Sequence, residues 1–439
     1  MRGSTLIKSV VAVSAVALLT SACLSSGSSG GGDSGKASGS VKGATVKIWV
    51  SVDQPILDGI KAVVDPEAKA QGFTIAWSKV TNINQLIITK IQANDVPDIA
   101  WIPQPGVVND IVKRNKATAL DSILDMNALK SSYVPGTLDS GTVNGKLYGL
   151  LVSANAKSFV FYPKKAWDAA GYKVPTTIDE LNALTDQIKS QGKTPWCMGI
   201  GSDAATGWPA TDWFEDLVLR YGGTQGYDDW VAHKVKFDSP LVRQAAAEFQ
   251  KLLFTSGNVL GGRKSIASNS FQTAGNPMFD SKPGCWMYKQ GSFITAFFPK
   301  AVQADLDNQV GVFYFPSANG TDKPMLGGGD MAVLLKNTAA GDAAMKLLAQ
   351  TNVGDTAVTN GSSFLSPHKD FDPSKYKGAI AQQVAKFVTE STAFRFDGSD
   401  SMPGAVGAGT FWKDMTSWIS GQESLDSALK NIDGSWPAS

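Results

Sequence analysis

The residues in this chain best suited to chemistry are aromatic and acidic rather than metal-binding or nucleophilic. Of its twelve tryptophans, Trp49, Trp101, Trp208, Trp213 and Trp286 stand beside polar residues. A pyranose presents flat C–H faces and a rim of hydroxyls. A site for one therefore pairs aromatic platforms with carboxylates, amides and Arg. A single tryptophan more often packs a core than carries a ligand, and polar neighbours shift that balance. The two histidines, His233 and His368, are far apart and hold no metal-ligand spacing, which leaves thin material for a Ser-His-Asp or His-metal site. In an oxidising compartment the pair Cys197 and Cys285 reads as a disulfide, with two separate buried thiols as the alternative.

Two motif matches carry no chemistry. Gly192-Lys193-Thr194 ends like a phosphate loop but lacks the Gly five residues before the Lys, so it reads as a helix C-cap turn. Gly27-x-Ser29-x-Gly31 matches a nucleophile elbow in form only, because it lies in a Ser/Gly-rich stretch.

The start of the chain speaks to location. Arg2 and Lys8 precede an apolar run over 10–19, the length of a signal-peptide core and too short to span a bilayer. Leu19-Thr20-Ser21-Ala22-Cys23 then resembles a bacterial lipobox, in which the Cys thiol takes a diacylglycerol; Thr20 stands where Leu is usual. Residues 25–43 are mostly Ser and Gly, a flexible tether. These features place the chain on the outer face of a cell membrane, lipid-anchored through Cys23. No later run is apolar enough to cross a membrane, and a net charge of +1 gives no footprint for nucleic acid.

The remaining residues, a little over four hundred, suffice for two lobes with sizeable cores. Strand patterns at 44–50, 73–80 and 98–102 alternate with helical patterns at 56–70 and 84–93. This β-α-β-α-β order implies an α/β fold with a parallel sheet and a crevice beyond the carboxyl ends of its strands. Those ends carry Trp49 to Asp53 and Trp101 to Pro105. Thr177-Ile178-Asp179-Glu180 resembles a capping box opening a helix. Gly207 to Trp213 (GWPATDW) reads as a loop running into a helix, with Asp212 in its first turn as a cap or a ligand contact. Further helices are expected at 241–256, 339–351, 377–389 and 409–420.

Several blocks together resemble the extracellular solute-binding proteins of carbohydrate ABC importers, the maltose-binding type. They are the lipobox and tether, Pro97-Asp98-Ile99, Asn144-Gly145-Lys146-Leu147-Tyr148-Gly149, Phe161-Tyr162 and the α/β order. Trp101-Ile102-Pro103-Gln104-Pro105-Gly106, Cys197, Gly207 to Trp213, Cys285-Trp286 and Phe394-Arg395-Phe396-Asp397 resemble its α-glucoside-binding branch. The resemblance implies a two-lobed type II fold, each lobe a sheet flanked by helices, with crossing hinge segments. It implies a signal over 1–22, the lipidated Cys and tether over 23–43, a first lobe over 44–152 and 315–365, and a second over 153–314 and 366–439. It also implies a Cys197–Cys285 bridge within the second lobe and a monomer that delivers sugar to permease subunits with a cytoplasmic ATPase, without catalysis or cofactor.

In that frame a sugar touching both lobes favours the closed form. Trp49, Trp101, Trp208 and Trp213 are the stacking candidates. Asp212, Asp330, Asp397 and Arg395 would bond hydroxyls, and Gln104, Lys157 and Gln290 complete the rim. Gly328, within Gly327–Gly329, would let backbone N–H groups approach the ligand. For Arg395 and Asp397 a mutual salt bridge is the rival role. Two functions compete with transport: a secreted glycoside hydrolase, which needs two carboxyl groups flanking the scissile bond, and a binding protein for a non-sugar solute.

Overall fold

The computed structural model describes residues 37–437. Cys23, the segment 1–22 and most of the tether lie outside the described residues. The strands, in chain order, are β1 (Thr45–Val50), β2 (Thr74–Lys79), β3 (Ile99–Ile102), β4 (Thr142–Val143), β5 (Lys146–Leu147), β6 (Gly149–Ala156), β7 (Phe159–Pro163), β8 (Tyr288–Gln290), β9 (Val310–Tyr314), β10 (Pro324–Leu334) and β11 (Ala393–Phe396). β1 buries Val46, Ile48 and Val50 and turns the residues between them outward, the period-two pattern of a strand with one covered face. The helix Gln54–Ala70 follows, with Pro in its first turn and Ile56, Leu57, Ile60, Val64 and Ala68 buried at helical spacing. β1 pairs in parallel with β2 on one side and β3 on the other.

β10 completes this sheet from far down the chain. Met331–Leu334 pair antiparallel with β3, Pro324–Gly327 pair in parallel with β11, and Gly327–Val333 pair antiparallel with β6. A strand has two edges, so β3 and β11 share one edge of β10 end to end while β6 takes the other. β7, β8 and β9 form a separate antiparallel sheet in the order β8-β7-β9. Lys157 and Ser158 alone separate β6 in one sheet from β7 in the next.

These pairings bear on where the chain changes lobes. β6 stays in the first sheet through Ala156, so a boundary at 152–153 falls inside a strand. His368 still bridges to Tyr133, beside the first sheet's connections, beyond the boundary expected at 365.

Buried apolar side chains gather into two clusters. One includes Val46, Ile48, Ile99, Met331 and Val333 from the first sheet. The other surrounds the helix Trp208–Val231 through Trp213, Phe214 and Leu217, with Trp418 and Ile432 from the last helices. Cys197 and Cys285 are joined, with Cα atoms 5.3 Å apart, and Cys197 N–H donates to the Met287 carbonyl beside them.

Some local readings change. The Gly207 to Trp213 stretch is not a loop: the helix begins at Trp208, with Gly207 in the left-handed region at φ 117° and Pro in its first turn. Proline there loses no helical hydrogen bond, because the first N–H groups have no intrahelical partner. Thr177 does cap its helix by accepting from Glu180 N–H at 3.1 Å, but Glu180 reaches back to Thr176 N–H at 2.7 Å. The helix expected at 409–420 begins as a π-helical stretch, Ala405–Phe411, before the α-helix Trp412–Ser420.

Candidate ligand-binding site

The junction of the two sheets is polar and almost fully buried. Lys157 follows β6, Asp397 follows β11, and Asp212 lies early in the helix Trp208–Val231. Lys157 Nζ donates to Asp397 Oδ2 at 2.5 Å and to Asp212 Oδ1 at 2.9 Å. Burial opposes the charge on Lys157, but Asp212, Asp397 and Asp400 outweigh it and hold its pKa well above the ordinary value. Burial also opposes ionisation of Asp397, yet Lys157 and hydrogen bonds bring it well below the usual carboxylate range. Burial pushes Asp212 well up, and Lys157 only partly counters it while Asp397 adds to it. The pair thus holds one full negative charge against one ammonium, as a buried ion must be matched to persist.

The network extends outward from this pair. Asp397 Oδ1 accepts from Ser399 Oγ at 2.7 Å and from Asp400 N–H at 3.0 Å, and Ser399 Oγ accepts from Trp412 Nε1 at 3.0 Å. Glu215, pushed well up by burial and then by Asp397 and Asp212, accepts from Gly398 and Ser399 N–H. Asp400 Oδ1 accepts from Gln104 Nε2 at 2.9 Å, and Gln104 Oε1 accepts from Asn84 Nδ2 at 3.0 Å. A polar chain therefore runs from the end of β3 to the second helical cluster. Behind it, Asp216 takes Lys289, Arg220 and Ser158 Oγ, and Ser158 Oγ accepts from Leu326 N–H of β10.

Beside this network lies an aromatic group. The Lys157 ammonium sits 5.2 Å over the Trp208 ring, within cation–π range. Phe271 and Phe293 have ring centroids 4.8 and 5.9 Å from Trp208, and Phe297, 38% exposed, packs on Phe271. Trp208 is only half-buried, and its Nε1 donates to Ser202 Oγ. Gly328, in β10, lies 4.0 Å from Lys157 Cε measured from where a Cβ would be. Its neighbour Gly329 has φ 149°, and a Cβ there would stand 2.1 Å from the Ser153 carbonyl, so only glycine fits.

The structure brings Lys157, Trp208, Asp212, Asp397, Gln104 and Gly328 to this junction and sets other candidates apart. Trp101 is fully buried, edge-on to Trp77 in the first core. Trp213 is 1% exposed, packed against Trp196, Phe249 and Phe315. Neither offers a free face, which corrects their reading as platforms. Arg395 makes a two-pronged bond to Asp228, at 2.6 and 2.9 Å, rather than to Asp397 or a ligand. Gln290 is buried, with Oε1 turned back onto Gly291 N–H. Trp49 is half-buried at the end of β1. Asp330 is half-buried in β10, pushed up to about 7 by burial, with Asp53 adding to the shift.

Asp400, Glu215 and Asn84 were not among the sequence candidates. Asp400 falls three residues after Asp397, one helical turn on, and that spacing was the available signal. The carboxylates of Asp212, Glu215 and Asp397 lie within 4.8 Å of one another, a spacing that suits a metal. Lys157 already donates to two of them and Glu215 holds two backbone N–H groups, while Asp212 Oδ2 is buried without a hydrogen-bond partner among the described residues.

A sheet finished by a strand from far down the chain, a second sheet reached through two residues, and a polar-aromatic junction between them define a two-domain α/β binding protein. Residues 55–349 match the family described as bacterial extracellular solute-binding protein. The alpha-glucosides-binding periplasmic protein AglE of Rhizobium meliloti is 36% identical over 411 residues, 90% of this chain and 87% of that one. The osmoprotective compounds-binding protein GgtB of Synechocystis is 34% identical, covering 86% of this chain and 89% of that one. Among solved structures, the bacterial solute receptor AcbH superposes with a TM-score of 0.75 at 16% identity, covering 89% of this chain and 98% of that one. The sugar-binding protein MalE from Xanthomonas citri superposes with a TM-score of 0.67 at 18% identity, covering 89% and 95%. The chain belongs to the bacterial extracellular solute-binding protein family.

Proposed function

We propose that this protein captures a sugar, an α-glucoside or another di- or oligosaccharide, by hinge closure and delivers it to the permease of an ABC importer. The observation that carries this reading is the half-buried Trp208, grouped with Phe271 and Phe293 and set against the Lys157–Asp212–Asp397 network. An aromatic face beside fixed carboxylates complements the C–H face and hydroxyl rim of a pyranose. Asp330, Asp53, Trp49 and the open backbone at Gly328 supply further contacts from the first sheet. The hinge comprises Lys157–Ser158, the stretch between β9 and β10, and the segment after β11. The similarity to AglE supports an α-glucoside in particular.

The test is titration calorimetry of the purified domain with maltose, trehalose and sucrose. Saturable binding to at least one is expected, and Trp208→Ala should weaken it about tenfold or more. No binding to any di- or oligosaccharide sinks the sugar reading. Release of free glucose from any of them would favour a hydrolase instead.

The location is proposed on the same terms. Cys23 carries the lipid, and the Ser/Gly tether lets a monomeric domain swing close to its permease. Cells fed labelled palmitate should label the wild type and not Cys23→Ala, and the variant should leave the membrane fraction. Equal labelling of both removes the anchor.

A further inference from the structure

Ser38 fixes where the tether joins the domain. Its N–H and its Oγ both donate to the Asn337 carbonyl at 3.2 Å, and its own carbonyl accepts from Ala339 N–H at 2.9 Å. Asn337 follows β10, which runs antiparallel to β3 with Leu334 opposite Ile99, the residue that opens β3. Gln104, which belongs to the polar junction, follows the other end of β3. The tether therefore arrives at the pole of the first sheet opposite the junction, where β1, β2 and β3 begin.

That pole is basic. Three helices end there, each with a lysine in its last turn: Lys69 in Gln54–Ala70, Lys90 in Ile83–Gln92 and Lys113 in Pro105–Lys113. Those lysines complement the helix dipoles, but more cations gather beside them for which the dipole gives no reason. Lys42 Cγ lies 3.3 Å from where a Cβ on Gly72 would stand, and Gly72 N–H donates to the Lys69 carbonyl. Lys47 N–H and the Lys336 ammonium both reach the Asp98 carboxylate, and Lys116 Nζ donates to Asn94 Oδ1 at 3.2 Å. Two of the acids at this pole are already matched, Asp95 by Lys90 at 2.6 Å and Asp98 by Lys336 at 3.6 Å. Glu67 and Asp342 sit about a turn in from the ends of their helices. Lys42, Lys47, Lys69, Lys113 and Lys116 are exposed and make no ion pair among the described residues.

Reach adds to charge. Under the lipid-anchor reading, fifteen residues (38 − 23) separate Cys23 from Ser38. A Ser/Gly chain of that length spans about 20 Å on average. The helix Gln54–Ala70, which returns from the crevice end of β1 to this pole, has 17 residues and is about 25 Å long. The average reach is shorter than the lobe is deep, so the pole and not the crevice stays nearest the lipid.

We propose that this basic pole docks on the anionic phospholipid surface of the membrane that holds the anchor, so that the resting molecule turns its crevice outward. The orientation rests on the lipid-anchor reading above, whereas the charge of the pole stands without it. Attraction to anionic lipid falls off within a Debye length, about 8 Å at physiological salt, so the contact is close and is released by salt.

The test is cosedimentation of the chain carrying Cys23→Ala, which takes no lipid, with vesicles of phosphatidylcholine alone or mixed equally with phosphatidylglycerol. Binding to the mixed vesicles should be about tenfold stronger or more, and should fall steeply as salt rises. Lys42→Glu, Lys69→Glu and Lys116→Glu together should abolish that preference. Lys173→Glu, Lys264→Glu and Lys282→Glu, the same charge change on exposed lysines of the second lobe, should keep it within about twofold. All six side chains are exposed, so both variants should melt close to the wild type. No preference for the anionic vesicles, or an equal loss in both variants, overturns the docking pole whatever Cys23 carries. Absence of palmitate on Cys23, with the preference lost only in the first variant, removes the anchor and leaves the pole's affinity for anionic lipid standing.

Discussion

At the scale of single residues, the behaviour of this protein turns on how buried charge is matched. Lys157 is enclosed with Asp212 and Asp397, and removing one member of such a set leaves the others uncompensated. Lys157→Met should therefore cost about 3–5 kcal/mol of stability, read from urea unfolding, although Met fills nearly the same volume. A cost under about 1 kcal/mol would mean the network is not closed as described.

Asp330 and Asp400 give a second prediction. Burial, aided by Asp53 for one and by Asp397 for the other, lifts each carboxyl to about 7. A carboxyl whose folded pKa is raised favours the fold while protonated. Its contribution is complete below the unfolded value near 3.8 and is lost as pH rises through about 7. His368 works from the other side. Burial lowers its pKa to about 4, so its contribution is present above about 6.5 and is lost as pH falls through about 4. Ligand-free protein should thus lose melting temperature between pH 5.5 and 8 (approximate bounds set by these values), and Asp330→Asn should reduce that loss. An unchanged slope in the variant would remove Asp330 from the explanation.

Residue type alone misled in two places and informed in others. Trp101 was taken for a platform because Pro103 and Gln104 follow it, but Ile99, Ala100 and Ile102 are its near neighbours, and all four bury. Trp213 sits at helical spacing from Ala210 and Leu217, a pattern that points inward. Lys157, Asp212, Asp397 and Gln104 were legible as polar residues at element ends. Their mutual bonds were not, because they join positions as many as 240 residues apart.

At the scale of elements, close approach governs what can be changed. The helix Gln54–Ala70 crosses the helix Asp355–Thr359 at Gly59, where a Cβ would stand 2.3 Å from the Ala357 Cα. Gly59→Ala, which would favour an isolated helix, should here destabilise by about 1–3 kcal/mol through overpacking. Equal or higher stability in a denaturant melt would show that the two helices can part freely. The Cys197–Cys285 bond closes a loop with a sequence separation of 88. Its reduction should cost roughly 2–5 kcal/mol, seen as a lower unfolding midpoint in reductant. The β-α-β-α-β start was legible because each element carries its own period. The pairing of β10 was not, since a run interrupted by three glycines does not announce that it serves three partners.

At the scale of the whole molecule, two sheets joined by a two-residue passage allow one to turn against the other without unravelling either. If the sugar reading holds, small-angle scattering should show the radius of gyration fall when a bound disaccharide is added, and Trp208→Ala at the same sugar concentration should stay extended. An unchanged radius in the wild type would argue against closure. The two-lobed plan was legible through family resemblance rather than through periodicity. The crossing points shifted once β6 was seen to remain in the first sheet to Ala156.

The long β10 carries a further consequence, for the order in which the molecule comes into being. Ile102 pairs with Met331, more than two hundred residues later, so the first sheet lacks the strand that joins β3, β6 and β11 until most of the chain has left the ribosome. Such distant pairing closes slowly. A polypeptide bound for a secretion channel gains from that delay, because the channel takes a thread and not a finished fold. The strand that unites the sheet thus sets the earliest point of synthesis at which the first sheet can close.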